Sequence, residues 1–190
     1  MKRQREKEGR DVCMKNKGSL QLIIPIQSFD SYKELANLIH YITRTGKQIA
    51  RANELVSYGG HGVSVSGSIE GVIEEFNQVY SWYKPLRNGC NRHIFHEYVT
   101  LSKEYADLMS EMDLDELGYQ LSSHYWNRGF QVVYGVHRPD QETGHFHIHF
   151  AVNAVSRRTG IKWRADGEEN QYRCDLFNRL ADAFLKEKSK

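Results

Sequence analysis

The stretch GHFHIHFAVN, residues 144–153, sets three histidines at alternate positions and follows them with an apolar run and an asparagine. Side chains alternate faces along a strand, so His145, His147 and His149 share one face, and Phe146, Ile148, Phe150 and Val152 share the other. The apolar row belongs in a core. The imidazole row does not, because buried polar groups need partners. Imidazoles are good metal ligands, since a neutral ring nitrogen suits a divalent ion and next-but-one spacing places two on one ion. Upstream, FQVVYGV (130–136) reads as a strand running straight into His137, and HRPDQETG connects it to the histidine strand. If the two strands form a hairpin, His137 completes a three-histidine site with open positions for substrate oxygens and water. An HxH pair alone reads equally well as a surface or network feature; a third histidine at the mouth of the same hairpin favours the metal.

Working outward, SLQLIIPI (19–26) reads as a buried strand. Ser31 and Glu34 form a capping-box pattern, and Leu35, Leu38, Ile39 and Ile42 follow at helical spacing, so a helix is expected over 32–43. Tyr41 lies near its end, just before TRTGK. SYGGHG (57–62) reads as a turn and GVSVSG (62–67) as a short strand. Ile69, Val72, Ile73, Phe76 and Val79 mark a second helix, HIFHEYVTLS (93–102) alternates like a strand, and two helical stretches follow to about residue 127. After a turn at RRTG, a last amphipathic helix carries Tyr172, Leu176, Phe177, Leu180 and Phe184 as its expected core face. The pattern predicts an α+β fold, with helices flanking an antiparallel central sheet.

At 190 residues, 39% hydrophobic and 12% aromatic, the chain is long enough for one domain with a substantial core. A net charge of +2 neither demands nor excludes nucleic acid. Cys13, Cys90 and Cys174 are odd in number, scattered and without a CxxC pair, which fits reduced thiols in a cytoplasmic protein rather than disulfides or a zinc knuckle. The start lacks the apolar stretch of a signal peptide, and no apolar run approaches a membrane span. Residues 1–18 are expected to form a flexible basic tail, either solvated or contacting DNA, ahead of a domain over 19–190.

His147-Ile148-His149-Phe150-Ala151-Val152-Asn153 resembles the HUHUUU signature of HUH endonucleases, U being hydrophobic, and the trailing Asn153 resembles that of their conjugative and mobilisation relaxases, MobA/VirD2-like. The resemblance implies that His137, His147 and His149 are the metal ligands and His145 an extra, within the family's RRM-like palm. Asp140 is then either a carboxylate orienting a ligand histidine or a turn former. ELANLIHYITRTGK (34–47) resembles the family's first motif, with Tyr41 at the nucleophile position and Tyr32 as the fallback. His96 sits where related relaxases carry a histidine, as a DNA contact or a base for Tyr41. Glu97, on the opposite face, is the rival base. Arg44, Lys47 and Arg51 are candidate phosphate contacts.

The resemblance thus implies a strand-specific nicking and joining enzyme. It would use Mg²⁺ or Mn²⁺, form a 5′-phosphotyrosyl link to single-stranded origin-of-transfer DNA, and start transfer of a mobile element. Accessory relaxosome proteins and a type IV secretion coupling protein are the implied partners, in a bacterial cytoplasm. The chain would be a small relaxase or an isolated N-terminal domain. Rolling-circle initiators and transposases usually place the nucleophile after the histidine motif, where only Tyr172 follows, on the expected core stripe. Two readings lie outside nicking: a non-DNA metallohydrolase and a catalytically silent DNA-binding module.

Overall fold

The computed structural model describes residues 20–21, 27–83, 92–139, 144–163 and 167–188. In chain order they form β1 (Leu20–Gln21), β2 (Gln27–Phe29), α1 (Tyr32–Thr43), a 3-10 segment (Gly46–Glu54), β3 (Leu55–His61), α2 (Ile69–Trp82) and β4 (Ile94–Leu101). The short α3 (Lys103–Ala106), α4 (Glu111–Asn127), β5 (Val132–His137), β6 (His147–Asn153) and α5 (Gly167–Lys188) follow. The basic tail over 1–18, Asp140, Cys13 and Cys90 lie outside the described residues.

The six strands make one sheet in the order β1-β4-β6-β5-β3, with β2 pairing beside β1 on the same edge of β4, and every pair antiparallel. β5 and β6 pair as the sequence suggests, with His137 opposite His147. Alternation then gives the sheet two unlike faces. Phe95, Val99, Val132, Val136, Ile148, Phe150 and Val152 meet Leu117, Leu121 and Tyr125 of α4 and Phe177 and Phe184 of α5 in the larger core. Ile94, Val133 and Ala151, on the reverse face, meet Leu35, Ile39 and Ile42 of α1 and Val72, Ile73 and Phe76 of α2. Among the described residues no helix is long and apolar enough to cross a membrane.

α1 starts where the capping pattern puts it. Ser31 Oγ accepts from the Glu34 N–H and donates to Glu34 Oε2 at 2.9 Å. The helix stops at Arg44, whose φ of 50° and ψ of 43° are left-handed. Gly135 lets α1 lie directly on the sheet, because a Cβ there would fall against the Ile42 carbonyl oxygen and 2.8 Å from Ile42 Cγ2.

Three expectations need correction. SYGGH is not a turn but most of β3, and residues 62–67 form the turn instead. Its Gly59 is required by close approach, since a Cβ would lie 2.6 Å from Tyr134 Oη on β5. Of the strand expected over 19–26, Leu20–Gln21 is described and pairs with β4 as a strand; the rest of that stretch lies outside the described residues. β6 begins at His147, so His145 precedes the strand and its carbonyl accepts from His147 Nδ1 at 3.0 Å. On α5 the core face is Arg173, Cys174, Phe177, Ala181 and Phe184, while Tyr172 is 53% exposed. An ion pair explains that rotation: Arg173 enters the core to meet Glu97, Nη2 to Oε1, at 3.3 Å.

Gly135→Ala is expected to overpack the α1–β5 contact and to lower stability by about 1–3 kcal/mol. Urea unfolding checks this, as a lower midpoint with an unchanged slope.

Candidate active site

β5 and β6 bring His137, His147 and His149 together, and one ring nitrogen from each can be chosen so that all lie within 4.8 Å of one another. All three are buried, at 0%, 3% and 4% exposure. Their hydrogen bonds fix which nitrogen carries the lone pair. His137 Nε2 lies 2.8 Å from the Ile42 carbonyl oxygen, which can only accept, so the lone pair is on Nδ1. His147 Nδ1 donates to the His145 carbonyl, which leaves its pair on Nε2. His149 Nδ1 lies 2.9 Å from His96 Nε2, and its Nε2 is buried with no hydrogen-bond partner among the described residues. Three neutral imidazoles, each fixed by an outer hydrogen bond, fit a divalent ion, and the unpartnered His149 nitrogen points the same way.

Tyr41 stands over this cluster in the last turn of α1. Its ring centroid is 5.3 Å from that of His149, 5.9 Å from His137 and 6.1 Å from His96. The turn beyond it is tied down: Thr43 Oγ1 donates to the Ile39 carbonyl at 2.8 Å, and Thr45 Oγ1 bonds both Thr43 Oγ1 and His40 Nδ1. Tyr41, His96, His147 and His149 line a cleft of about 1130 Å³. Tyr32, His40, Lys47 and Arg51 flank it on the α1 side, Gln27, Phe29 and Tyr98 on the sheet edge.

Other expected residues lie elsewhere. Arg44 is 1% exposed rather than a surface cation, because Glu54 pairs with its guanidinium at 2.9 Å. Glu97 is on the wrong face of β4: it is 1% exposed beneath α4 and α5, accepts from Tyr125 Oη at 2.6 Å and faces Arg173. It cannot reach Tyr41. Asn153 lies at the far end of β6, donating to the Phe76 carbonyl at 3.0 Å and Gln131 Oε1 at 2.9 Å, and so ties α2 to the sheet. Two residues of the site escaped the sequence reading. Tyr98 shares the face of His96 and pairs in register with His149, a place its parity on β4 foretells. Glu54 carried no sequence signal.

Burial keeps His96, His137 and His149 neutral. It lowers His137 to about 3, with Arg44 and His147 adding to the effect, and lowers His96 to about 4, with His147 adding to it. His149 is driven well below the ordinary value by burial and then by the neighbouring histidines. His124, on the other face, falls to about 4 for the same first reason. Each binds its proton more weakly in the fold than in the unfolded chain, so unfolding takes up protons below the ordinary 6.5. The stability they contribute is full above that value and drains away as pH falls toward 3–4. With chelator present, the urea midpoint is expected to drop between about pH 6.5 and 5, above most carboxylate titration. His96→Gln should flatten that slope by about one proton.

The family described as Relaxase: MobA/VirD2-like, nuclease domain, matches residues 41–184, a span that begins at Tyr41 and includes the three clustered histidines. No curated protein matches the chain. Among solved structures, a metal-bound structure of the conjugative relaxase TrwC in complex with oriT DNA is similar at 10% identity and TM-score 0.50, over 87% of this chain and 69% of that one. Another structure of TrwC in complex with oriT DNA is similar at 9% identity and TM-score 0.48, over the same shares. At TM-score 0.50 the likeness supports the α+β fold of an antiparallel sheet flanked by helices. The family match spans well over half of the sequence, and the chain therefore belongs to the MobA/VirD2-like relaxases, as a nuclease domain.

Proposed function

We propose that the chain nicks and rejoins single-stranded DNA at an origin of transfer, with Tyr41 as nucleophile and His137, His147 and His149 holding a divalent ion. The observation that carries this reading is the phenol ring set 5.3 Å from His149 at the wall of an open cleft. A bound ion would supply positive charge at the scissile phosphate and at the departing 3′ oxygen. Tyr41 Oη attacks phosphorus in line, its proton passing to solvent in the cleft. The Oη–P bond forms as the P–O3′ bond breaks and O3′ takes a proton from solvent in the cleft, leaving a 5′-phosphotyrosyl link and a free 3′-OH. Because one phosphodiester replaces another, the same 3′-OH can reverse the step and reseal the strand.

The neighbours take supporting roles. His149 offers its Nε2 pair only if Nδ1 donates to His96 Nε2, and His96 then has its remaining hydrogen on Nδ1. His96 is thus a positioning residue for His149 and has no spare pair for the Tyr41 proton. Lys47 and Arg51 supply cations along the cleft for the DNA backbone, and Phe29, Tyr32 and Tyr98 supply faces for unpaired bases. Between Mn²⁺ and Mg²⁺, an all-imidazole donor set suits Mn²⁺ better, because Mg²⁺ takes oxygen ligands and gives up its waters reluctantly. Transfer of a plasmid or integrative element is the process such a nick would start, with accessory relaxosome proteins and a secretion coupling protein as partners.

A metallohydrolase with no use for Tyr41 leaves its placement unexplained. A nucleophile downstream of the histidines fares worse, since Tyr172 is exposed on α5, across the sheet from the cluster.

Incubation with single-stranded origin oligonucleotides and Mn²⁺ is expected to give a denaturation-resistant protein–DNA band, abolished by EDTA and by Tyr41→Phe. Tight DNA binding with no such band would sink the nicking scheme, and undiminished hydrolysis by Tyr41→Phe would support the metallohydrolase.

A further inference from the structure

Arg44 is the one non-glycine residue with positive φ among the described residues. A left-handed arginine costs about 1–2 kcal/mol, so its side chain must recover that elsewhere. The side chain is wholly buried and turns back beneath the end of α1. Nη1 donates to the Tyr41 carbonyl at 3.3 Å, and the guanidinium carbon lies 4.5 Å from the centroid of the Tyr41 ring. Nη2 lies 3.1 Å from His137 Nδ1 and 2.9 Å from Glu54 Oε2. Arginine can only donate and the Ile42 carbonyl can only accept, so both neighbours of the His137 ring demand one tautomer. Nε2 carries the hydrogen, and the Nδ1 lone pair faces the guanidinium.

That lone pair is the one His137 has to offer a metal. We propose that Arg44 is a positioning residue that competes with a divalent ion for the Nδ1 pair of His137, and that Glu54 is the carboxylate that retains the guanidinium when the ion takes that pair. The inference rests on the reading of the three histidines as an ion site.

Two effects oppose ion binding at this point. A charge-assisted hydrogen bond must be given up, and a fixed cation stands beside the incoming one. Glu54 moderates both, since it offers the guanidinium a second anchor and cancels part of its charge. The same side chain lies on the Tyr41 ring, so loading the ion and setting the phenol are linked through one group. Arg44 thereby keeps the triad from gripping stray ions as tightly as three bare imidazoles would, while holding the nucleophile's helix end in place.

A merely structural arginine predicts the opposite sign. Loosening the end of α1 would disorder Ile42, release His137 and weaken ion binding along with nicking. Competition predicts that the two readouts part company.

The test is calorimetric titration of the full chain with Mn²⁺ in the absence of DNA, beside the rate of covalent adduct formation. Arg44→Met removes the donor and the charge, and is expected to bind Mn²⁺ about tenfold more tightly while forming adduct more slowly. Arg44→Lys keeps a cation and should show no tightening. Glu54→Gln leaves the guanidinium without its counter-charge and should bind the ion more weakly. Arg44→Met binding Mn²⁺ as the unaltered chain does, or more weakly, overturns the inference. If Arg44→Met does not fold, unchanged or tighter binding by Glu54→Gln overturns it instead. Failure of the unaltered chain to bind Mn²⁺ at all overturns the reading of the triad and this inference with it, an outcome distinct from the other two.

Discussion

One hydrogen bond joins the two halves of the site. The carbonyl of Ile42, next in sequence to Tyr41, accepts from His137 Nε2 at 2.8 Å. Through it the last turn of α1 is fastened to the end of β5, and the fastening also decides which nitrogen of His137 can bind an ion. The contact exists because Gly135, two residues earlier on the same face of β5, has no Cβ to hold the helix off the sheet. Placement of the Tyr41 ring and the tautomer of His137 are one constraint, met by a glycine, a backbone oxygen and an imidazole.

The sheet keeps its chemistry on one face and its bulk on the other. Beneath α4 and α5, Glu97 and Arg173 are buried together with Tyr125 and Trp163. Burial pushes the Glu97 carboxyl up, against the pull of Arg173 and the hydrogen bond from Tyr125. Breaking such a pair by removing one partner is costly, about 3–5 kcal/mol, because the other charge is left alone in the core. The network fixes how α5 sits on the sheet, and so gives the histidine-bearing face a stiff backing. It contributes nothing polar to the cleft.

Much of this was legible from residue order. Period-two alternation gave β6 its two faces, and the capping pattern at Ser31 with helical spacing through Ile42 gave α1 from end to end. What could not be read were the places where tertiary contact overrules local preference. Gly59 and Gly60 look like a turn, and become strand because Tyr134 needs the space above Gly59. Tyr172 fits an apolar stripe, and is turned outward because Arg173 is drawn in by a carboxylate 76 residues away in sequence. Arg44 looks like a surface cation after a helix, and is buried because Glu54, ten residues on, returns through a 3-10 segment to meet it. Long-range charge pairing leaves no periodic trace. Tyr98 is a different case, since its parity with His96 was there to be seen.

α1 is pinned at both ends, by the Ser31 cap at its start and by Arg44 at its close. Each residue of an α-helix turns the next by about 100°. The angular phase of the phenol is therefore counted off from the cap, and the count cannot be altered without swinging the ring away from the histidines. Exposed positions such as Tyr32, Lys33 and Asn37 are free to change identity as far as the helix is concerned. Deletion or insertion of one residue between Ser31 and Tyr41 is not tolerated on the same terms, so within this segment evolution can edit letters but not length.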